Sequence, residues 1–75
     1  MTNESKTIIQ NAIAANLAAL SQRLTEAAAL AEQAHVAMAQ GEQNQAIGTI
    51  LDFDRLLPET QALHAAAVAL HRNRS

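Results

Sequence analysis

Three histidines, His35, His64 and His71, are the residues of this 75-residue chain that could bind a metal ion. A zinc site made of histidines needs all three ligands and an open fourth position. His64 and His71 lie two helical turns apart on one predicted helix face, but no pair has the i, i+4 spacing of two ligands on one helix. The chain also contains no cysteine. We therefore expect no metal site.

The other polar residues form no pattern typical of catalysis. Ser21 lies in a helix-forming run and lacks the flanking glycines of a nucleophilic serine. Asp52 and Asp54 project from different sides of one predicted helix. Gly41 and Gly48 are the only glycines, too few for a phosphate-binding loop. We expect no catalytic residue, no cofactor and no small-molecule substrate.

Composition narrows the classes of partner. The formal net charge is −2, whereas a protein that binds nucleic acid normally carries a basic face. No apolar run approaches the roughly 20 residues that cross a bilayer. The first residues are polar and lack the basic-then-apolar order of a signal peptide. The sequence therefore favours a cytoplasmic protein that binds neither nucleic acid nor membrane.

The elements that must position any site are helical. From about Ser5 to Gln40 the chain has no glycine and no proline, and alanine is its commonest residue, so we expect one continuous helix. Apolar residues within it repeat at alternating steps of four and three, the pattern by which one helix packs along another. This predicted stripe is Ile13, Leu17, Leu20, Leu24, Ala27, Ala31, Ala34 and Met38.

The remainder of the chain is predicted to fold back over that stripe. Gly41 ends the long helix, and a short polar turn follows. We expect a second helix over about 43–57, with Ala46, Ile50, Phe53 and Leu57 facing inward, and a third over about 59–72. Pro58 separates them, because proline removes a helical hydrogen bond and disfavours helix in the residue before it.

The predicted fold is therefore all-α, a helical hairpin or three-helix bundle that forms one domain over residues 1–75. We expect residues 1–4 and 73–75 to be frayed. A chain this short buries about 60% of the surface that its unfolded form exposes, so a second copy of itself is an expected source of stability.

The segment Ala27–Pro58 resembles a tetratricopeptide repeat. The matching positions are Ala34, Gly41, Ala46, Ile47, Ile50 and Pro58, and Ala12-Ile13 and Leu17 recur 34 residues later as Ala46-Ile47 and Leu51. This resemblance implies stacked helical hairpins that bind a peptide or a helix in a groove.

Our functional interpretation is a non-enzymatic protein–protein interaction module, such as an adaptor, an assembly factor or a chaperone-like subunit. The expected partner is another protein or the chain itself, as a homodimer. We expect a second helix face near the N-terminus to bind it, formed by Ile8, Ile9, Ala12, Ala15 and Ala19. The alternatives are a DNA-associated transcriptional regulator that uses the second and third helices, a peptide-binding fragment like the tetratricopeptide repeat, and a structural subunit of an oligomer.

Overall fold

The computed structural model describes the backbone of residues 2–73 and the side chains of residues 6–73. It contains three α-helices, α1 at Thr2–Ala39, α2 at Gln43–Ile50 and α3 at Phe53–Arg72, and no strand occurs between residues 2 and 73. α1 packs against both α2 and α3, which together we call the return arm. This architecture confirms the predicted all-α fold.

The long first helix is continuous, as predicted. It begins at Thr2, earlier than expected, so residues 2–4, which were predicted to fray, are helical. At the other end of the chain, Asn73 caps α3 and donates its N–H to the carbonyl of Ala69 at 3.0 Å. The predictions of fraying at residues 1, 74 and 75 lie outside the described residues.

Gly41 ends α1 in the predicted way. Its φ of +80° is a left-handed conformation that glycine adopts without a steric penalty. The N–H of Gly41 donates to the carbonyl of Met38 at 2.9 Å, and the N–H of Glu42 donates to Ala37 at 2.9 Å. These two hydrogen bonds form a Schellman motif, which satisfies the last carbonyls of α1 and reverses the chain.

The break in the return arm lies at Leu51 and Asp52, so the predicted break at Pro58 was wrong. Both residues keep right-handed helical dihedral angles, with φ/ψ of −62°/−26° and −60°/−18°. The N–H of Asp54 donates to Leu51 and the N–H of Arg55 donates to Asp52, each at 3.0 Å. These i to i+3 bonds tighten one turn, so the arm bends there without reversing.

Pro58 lies inside α3 because the helical hydrogen bond that it removes is on the solvent side. Proline has no N–H to donate to the carbonyl four residues earlier, here that of Asp54. Asp54 and Pro58 are both exposed, so water can hydrogen-bond to this carbonyl. The helix therefore continues through a residue that usually ends one.

The line along which α1 and the return arm pack, which we call the seam, has unbroken spacings of three and four residues on both sides. Its positions are buried or half-buried, and they are Ile9, Ile13, Asn16, Leu20, Arg23, Ala27, Leu30, Ala34 and Ala37 on α1, and Ala46, Thr49, Phe53, Leu56, Thr60, Leu63, Ala67 and Leu70 on the arm. The stripe on the arm therefore passes Pro58 without displacement.

Half of the predicted stripe on α1 was wrong. Ile13, Leu20, Ala27 and Ala34 lie in the seam, but Leu17, Leu24, Ala31 and Met38 are exposed. On the return arm, Ile50 and Leu57 are likewise exposed, and Thr49 and Leu56 take the inward positions. The helices are thus rotated by about half a residue, roughly 50°, from the expected packing, which gives the seam fewer large apolar side chains.

The core of this hairpin is made mostly of alanine. Ala34, Ala37 and Ala46 form a buried cluster beside the turn, and small side chains let two helix backbones approach closely. Leu56 is the one large side chain, among those described, that is fully buried. Phe53, expected in the core, is only half-buried.

The molecule is one layer of two antiparallel arms. Its Cα atoms extend over 60 × 15 × 12 Å, and their radius of gyration is 17.3 Å. A compact domain of this length has a radius of gyration of about 11 Å. The hairpin therefore covers the seam but has no second layer over either of its broad sides.

Truncation of Leu56 tests this description of the core. Leu56→Ala removes the large side chain whose exposed fraction is 0%, so we expect it to lower the free energy of unfolding by about 2–5 kcal/mol. The matched control is Leu51→Ala, because Leu51 is 59% exposed on the outer side of the arm. Urea unfolding followed by circular dichroism measures both. Equal losses in the two variants would contradict the seam described here.

Candidate protein-interaction surface

On one flank of the seam, which we call the charged side, four charged residues form ion pairs. Arg23 Nε lies 3.0 Å from Glu59 Oε1, and this links α1 to α3. Arg55 Nη2 lies 3.0 Å from Glu26 Oε2, which links the same helices a second time. Arg55 Nη1 lies 3.2 Å from Glu59 Oε1 within α3. Glu59 and Arg55 each pair with two opposite charges.

These ion pairs are partly exposed to water, and their main effect is on the orientation of α1 relative to α3. The Arg23 Nε–H is not directed at Glu59 well enough to form a hydrogen bond, so this contact is electrostatic. The hydrogen bond to Glu26, together with the nearby carboxylates, raises the pKa of Arg55 above its ordinary value. Arginine is protonated at every ordinary working pH, so this shift adds no pH dependence near neutrality.

The opposite flank of the seam is apolar. On α1, Leu17, Leu24, Ala31 and Met38 each follow a seam residue by four positions, which places them beside it on the same flank. Ile50 and Leu57 have the same relation to seam residues of the return arm. Glu26 and Glu59 follow seam residues by three positions, which places them on the other flank. We call these six residues, Leu17, Leu24, Ala31, Met38, Ile50 and Leu57, the apolar face.

Five of the six side chains of the apolar face are large, and all six are exposed. Leu17 is 49% exposed, Leu24 and Met38 are each 51% exposed, and Leu57 is 53% exposed. From Leu17 to Met38 the face extends about 32 Å along α1 at 1.5 Å per residue. Ile47, also half exposed, lies at the next position outward, one turn from Ile50. A run of exposed large apolar side chains of this kind marks an interaction site in a folded protein.

The register of the ion pairs places the apolar residues of the two arms side by side. Arg23 meets Glu59 and Glu26 meets Arg55, so the same antiparallel register puts Leu24 level with Leu57. Ala31 is likewise level with Ile50, and Leu17 with His64. The apolar face is thus two residues wide, and it ends towards the open end of the hairpin at His64.

The residues predicted to bind a partner lie around the first turns of α1. Ile9, Ala12 and Ala19 are half-buried, on or beside the seam, whereas Ile8 and Ala15 are exposed on the side away from the apolar face. Arg72, the last residue of α3, comes level with about Gln10 in this register, so Ile8 lies near the end of the arm. This small N-terminal surface contains one large, freely exposed side chain, and it stays a prediction.

The polar side chains considered for chemistry do not converge. His35, His64 and His71 are exposed, and in the described part of the chain no group of three His, Cys, Asp or Glu residues could hold a metal ion. No polar or charged side chain of residues 6–73 is buried. None of the three helices, over the residues described, is long and apolar enough to cross a membrane.

The apolar face was not predicted from the sequence, because the same leucines were expected in the core. Arg23 follows Leu20 by three positions, so it lies at or beside the seam in either arrangement. The acid that it meets on the return arm is Glu59. The rotation that brings these two residues together turns Leu24 outward.

Comparison of the chain with protein-family models, with curated proteins and with solved structures finds no match. The resemblance to the tetratricopeptide repeat therefore stays a prediction, and function has to be inferred from the surfaces themselves.

Glu59 provides a test of the charged side. Glu59→Gln removes both of its ion pairs and keeps the shape of the side chain, so we expect the melting temperature to fall by a few degrees at low salt. Screening at about 1 M NaCl should abolish most of this difference. Glu32→Gln is the matched control, because Glu32 is exposed and takes part in no ion pair of the described residues. A loss that does not change with salt would contradict an electrostatic role.

Proposed function

We propose that this protein is a non-enzymatic protein–protein interaction module that acts as an adaptor, an assembly factor or a chaperone-like subunit. It binds its partner through the apolar face. The observation that carries this proposal is the separation of charge from apolar surface. Every ion pair of the described residues lies on one flank of the seam, and five of the nine exposed large apolar side chains lie on the other, namely Leu17, Leu24, Met38, Ile50 and Leu57.

The composition of the apolar face supports a protein as its partner. None of its six residues is charged, and the next positions outward on α1, Ala14, Ser21, Ala28 and His35, include no Asp, Glu, Lys or Arg. Nucleic acid is bound through basic side chains, which this face lacks. Apolar side chains that repeat along a helix are the usual means by which one helix receives another. We infer a cytoplasmic location from the sequence alone.

The alternative of a DNA-associated regulator gains no support from α2 and α3. A helix-turn-helix motif needs two helices set at a wide angle, joined by a turn of three or four residues. Here Leu51 and Asp52 join α2 to α3 with helical dihedral angles. We therefore retain protein binding as the proposed function.

Site-specific photocrosslinking in the cells that produce the protein tests this proposal. A photoreactive amino acid at Leu24 should form an adduct with a protein, because this position is in the apolar face. The matched control is Thr25, which is exposed on the side of α1 that faces away from the return arm. Ile8 is the third position, since it tests the N-terminal surface.

The three positions give distinct results. An adduct at Leu24 and none at Thr25 supports the proposed function, whether the partner is this chain or another protein. An adduct at Ile8 alone keeps the protein-binding function but moves it to the N-terminal surface. No adduct at either position contradicts a protein-binding function.

A further inference from the structure

We infer that the partner of the apolar face is a second copy of this chain, and that two hairpins pack face to face as a four-helix bundle. This inference rests on the proposed function, because it names the partner of the same surface. Three properties of the hairpin support it, namely the charge of the face, the surface area of the molecule and the composition of its core.

The apolar face can pack against the same face of a second copy. In a dimer with two-fold symmetry, the same patch lies on both sides of the contact, so any charge within the patch would oppose its own kind. None of the flank positions that share the face is Asp, Glu, Lys or Arg. These positions are Gln10, Leu17, Leu24, Ala31 and Met38 on α1, and Ile50, Leu57, His64 and His71 on the return arm. Asp54 is the one formal charge at the next positions outward, at the edge of the face. Two copies can therefore meet without burying like charges.

The surface that this chain exposes in excess of a compact protein of the same mass is comparable to one side of a protein–protein interface. The chain exposes 5570 Å². A compact protein of 8.0 kDa exposes about 4,450 Å², roughly 1,100 Å² less. A stable protein–protein contact covers about 800 Å² on each partner. Covering one broad side of the hairpin would thus bring its exposed area close to that of a compact domain.

The core of a single hairpin is incomplete. Domains consist of at least two packed layers, and this molecule is one layer, 15 Å wide and 12 Å thick between Cα atoms. Among residues 6–73, the buried residues are four alanines and Leu56. A second hairpin would enclose Leu24 and Leu57 together with the seam, and both would join the centre of a four-helix core. Identical copies supply this layer without any further component.

Concentration-dependent stability and mass are the first test. We expect the purified chain to sediment at about 16 kDa, twice the 8.0 kDa of one copy. Because a dimer is favoured by mass action, its melting temperature should rise by about 5 °C for each tenfold increase in concentration between about 2 and 200 μM. A particle of 8.0 kDa whose melting temperature is the same at every concentration would overturn the inference.

Paired substitutions test the surface. Leu24→Glu with Leu57→Glu puts charge in the centre of the apolar face, and both side chains are exposed in the single hairpin. We expect this variant to sediment as one copy. Ile8→Glu with Leu51→Glu is the matched control, since both residues are exposed apolar side chains outside the face, and it should remain a dimer. Loss of the dimer in the control alone would overturn the assignment of the surface.

A crosslink within the purified protein avoids dependence on variants that fail to fold. The photoreactive residue at Leu24 should yield an adduct of twice the chain mass, and the residue at Thr25 should yield none. If Leu24 crosslinks in cells only to a different protein, and the purified chain forms no doubled adduct, the proposed function stands and the second copy is excluded. Absence of every adduct at Leu24, in cells and in the purified protein, contradicts both the second copy and the binding of any partner through the apolar face.

Discussion

The close packing of alanines beside the turn is the contact on which the rest of the hairpin depends. Ala34, Ala37 and Ala46 meet where Gly41 reverses the chain, and side chains this small leave little freedom in how far apart the helices lie. The rotation of α1 set at this end continues along the whole helix, because no residue interrupts it. With this rotation, Arg23 of α1 faces Glu59 of α3, and the ion pair between them stabilises the same packing.

The features that local chemistry decides could be predicted from the sequence. Because the segment contains no glycine and no proline, α1 was correctly predicted to be continuous. Its end was correctly predicted at Gly41. The rotation of the helices could not be predicted, because two stripes on α1 share Ile13, Leu20, Ala27 and Ala34 and differ in the other half. The stripe through Leu17 and Leu24 is more apolar, but the observed seam runs through Asn16 and Arg23. Arg23 lies at or beside the seam in both arrangements, so its charge does not distinguish them.

The bend in the return arm was misplaced for a related reason. Proline is the usual signal for a helix end. Its effect at Pro58, however, depends on whether the carbonyl left without a helical hydrogen bond is buried or exposed to water, which is a property of the tertiary structure. Leu51 and Asp52 carry no such signal, since a tightened turn uses helical dihedral angles that any residue adopts. The same limit applies to the candidate site, because exposure of Leu24 and Leu57 follows from the rotation and not from their types.

Four leucines of this hairpin, Leu17, Leu24, Leu51 and Leu57, are exposed, and we propose that a second copy covers Leu17, Leu24 and Leu57. The most direct test of this account is an isotope-filtered nuclear Overhauser experiment on an equimolar mixture of ¹³C-labelled and unlabelled chains. The account predicts contacts between copies from the methyl groups of Leu24 and Leu57. Contacts between copies that arise only from Ile8, or none at concentrations where the chain is folded, would contradict it.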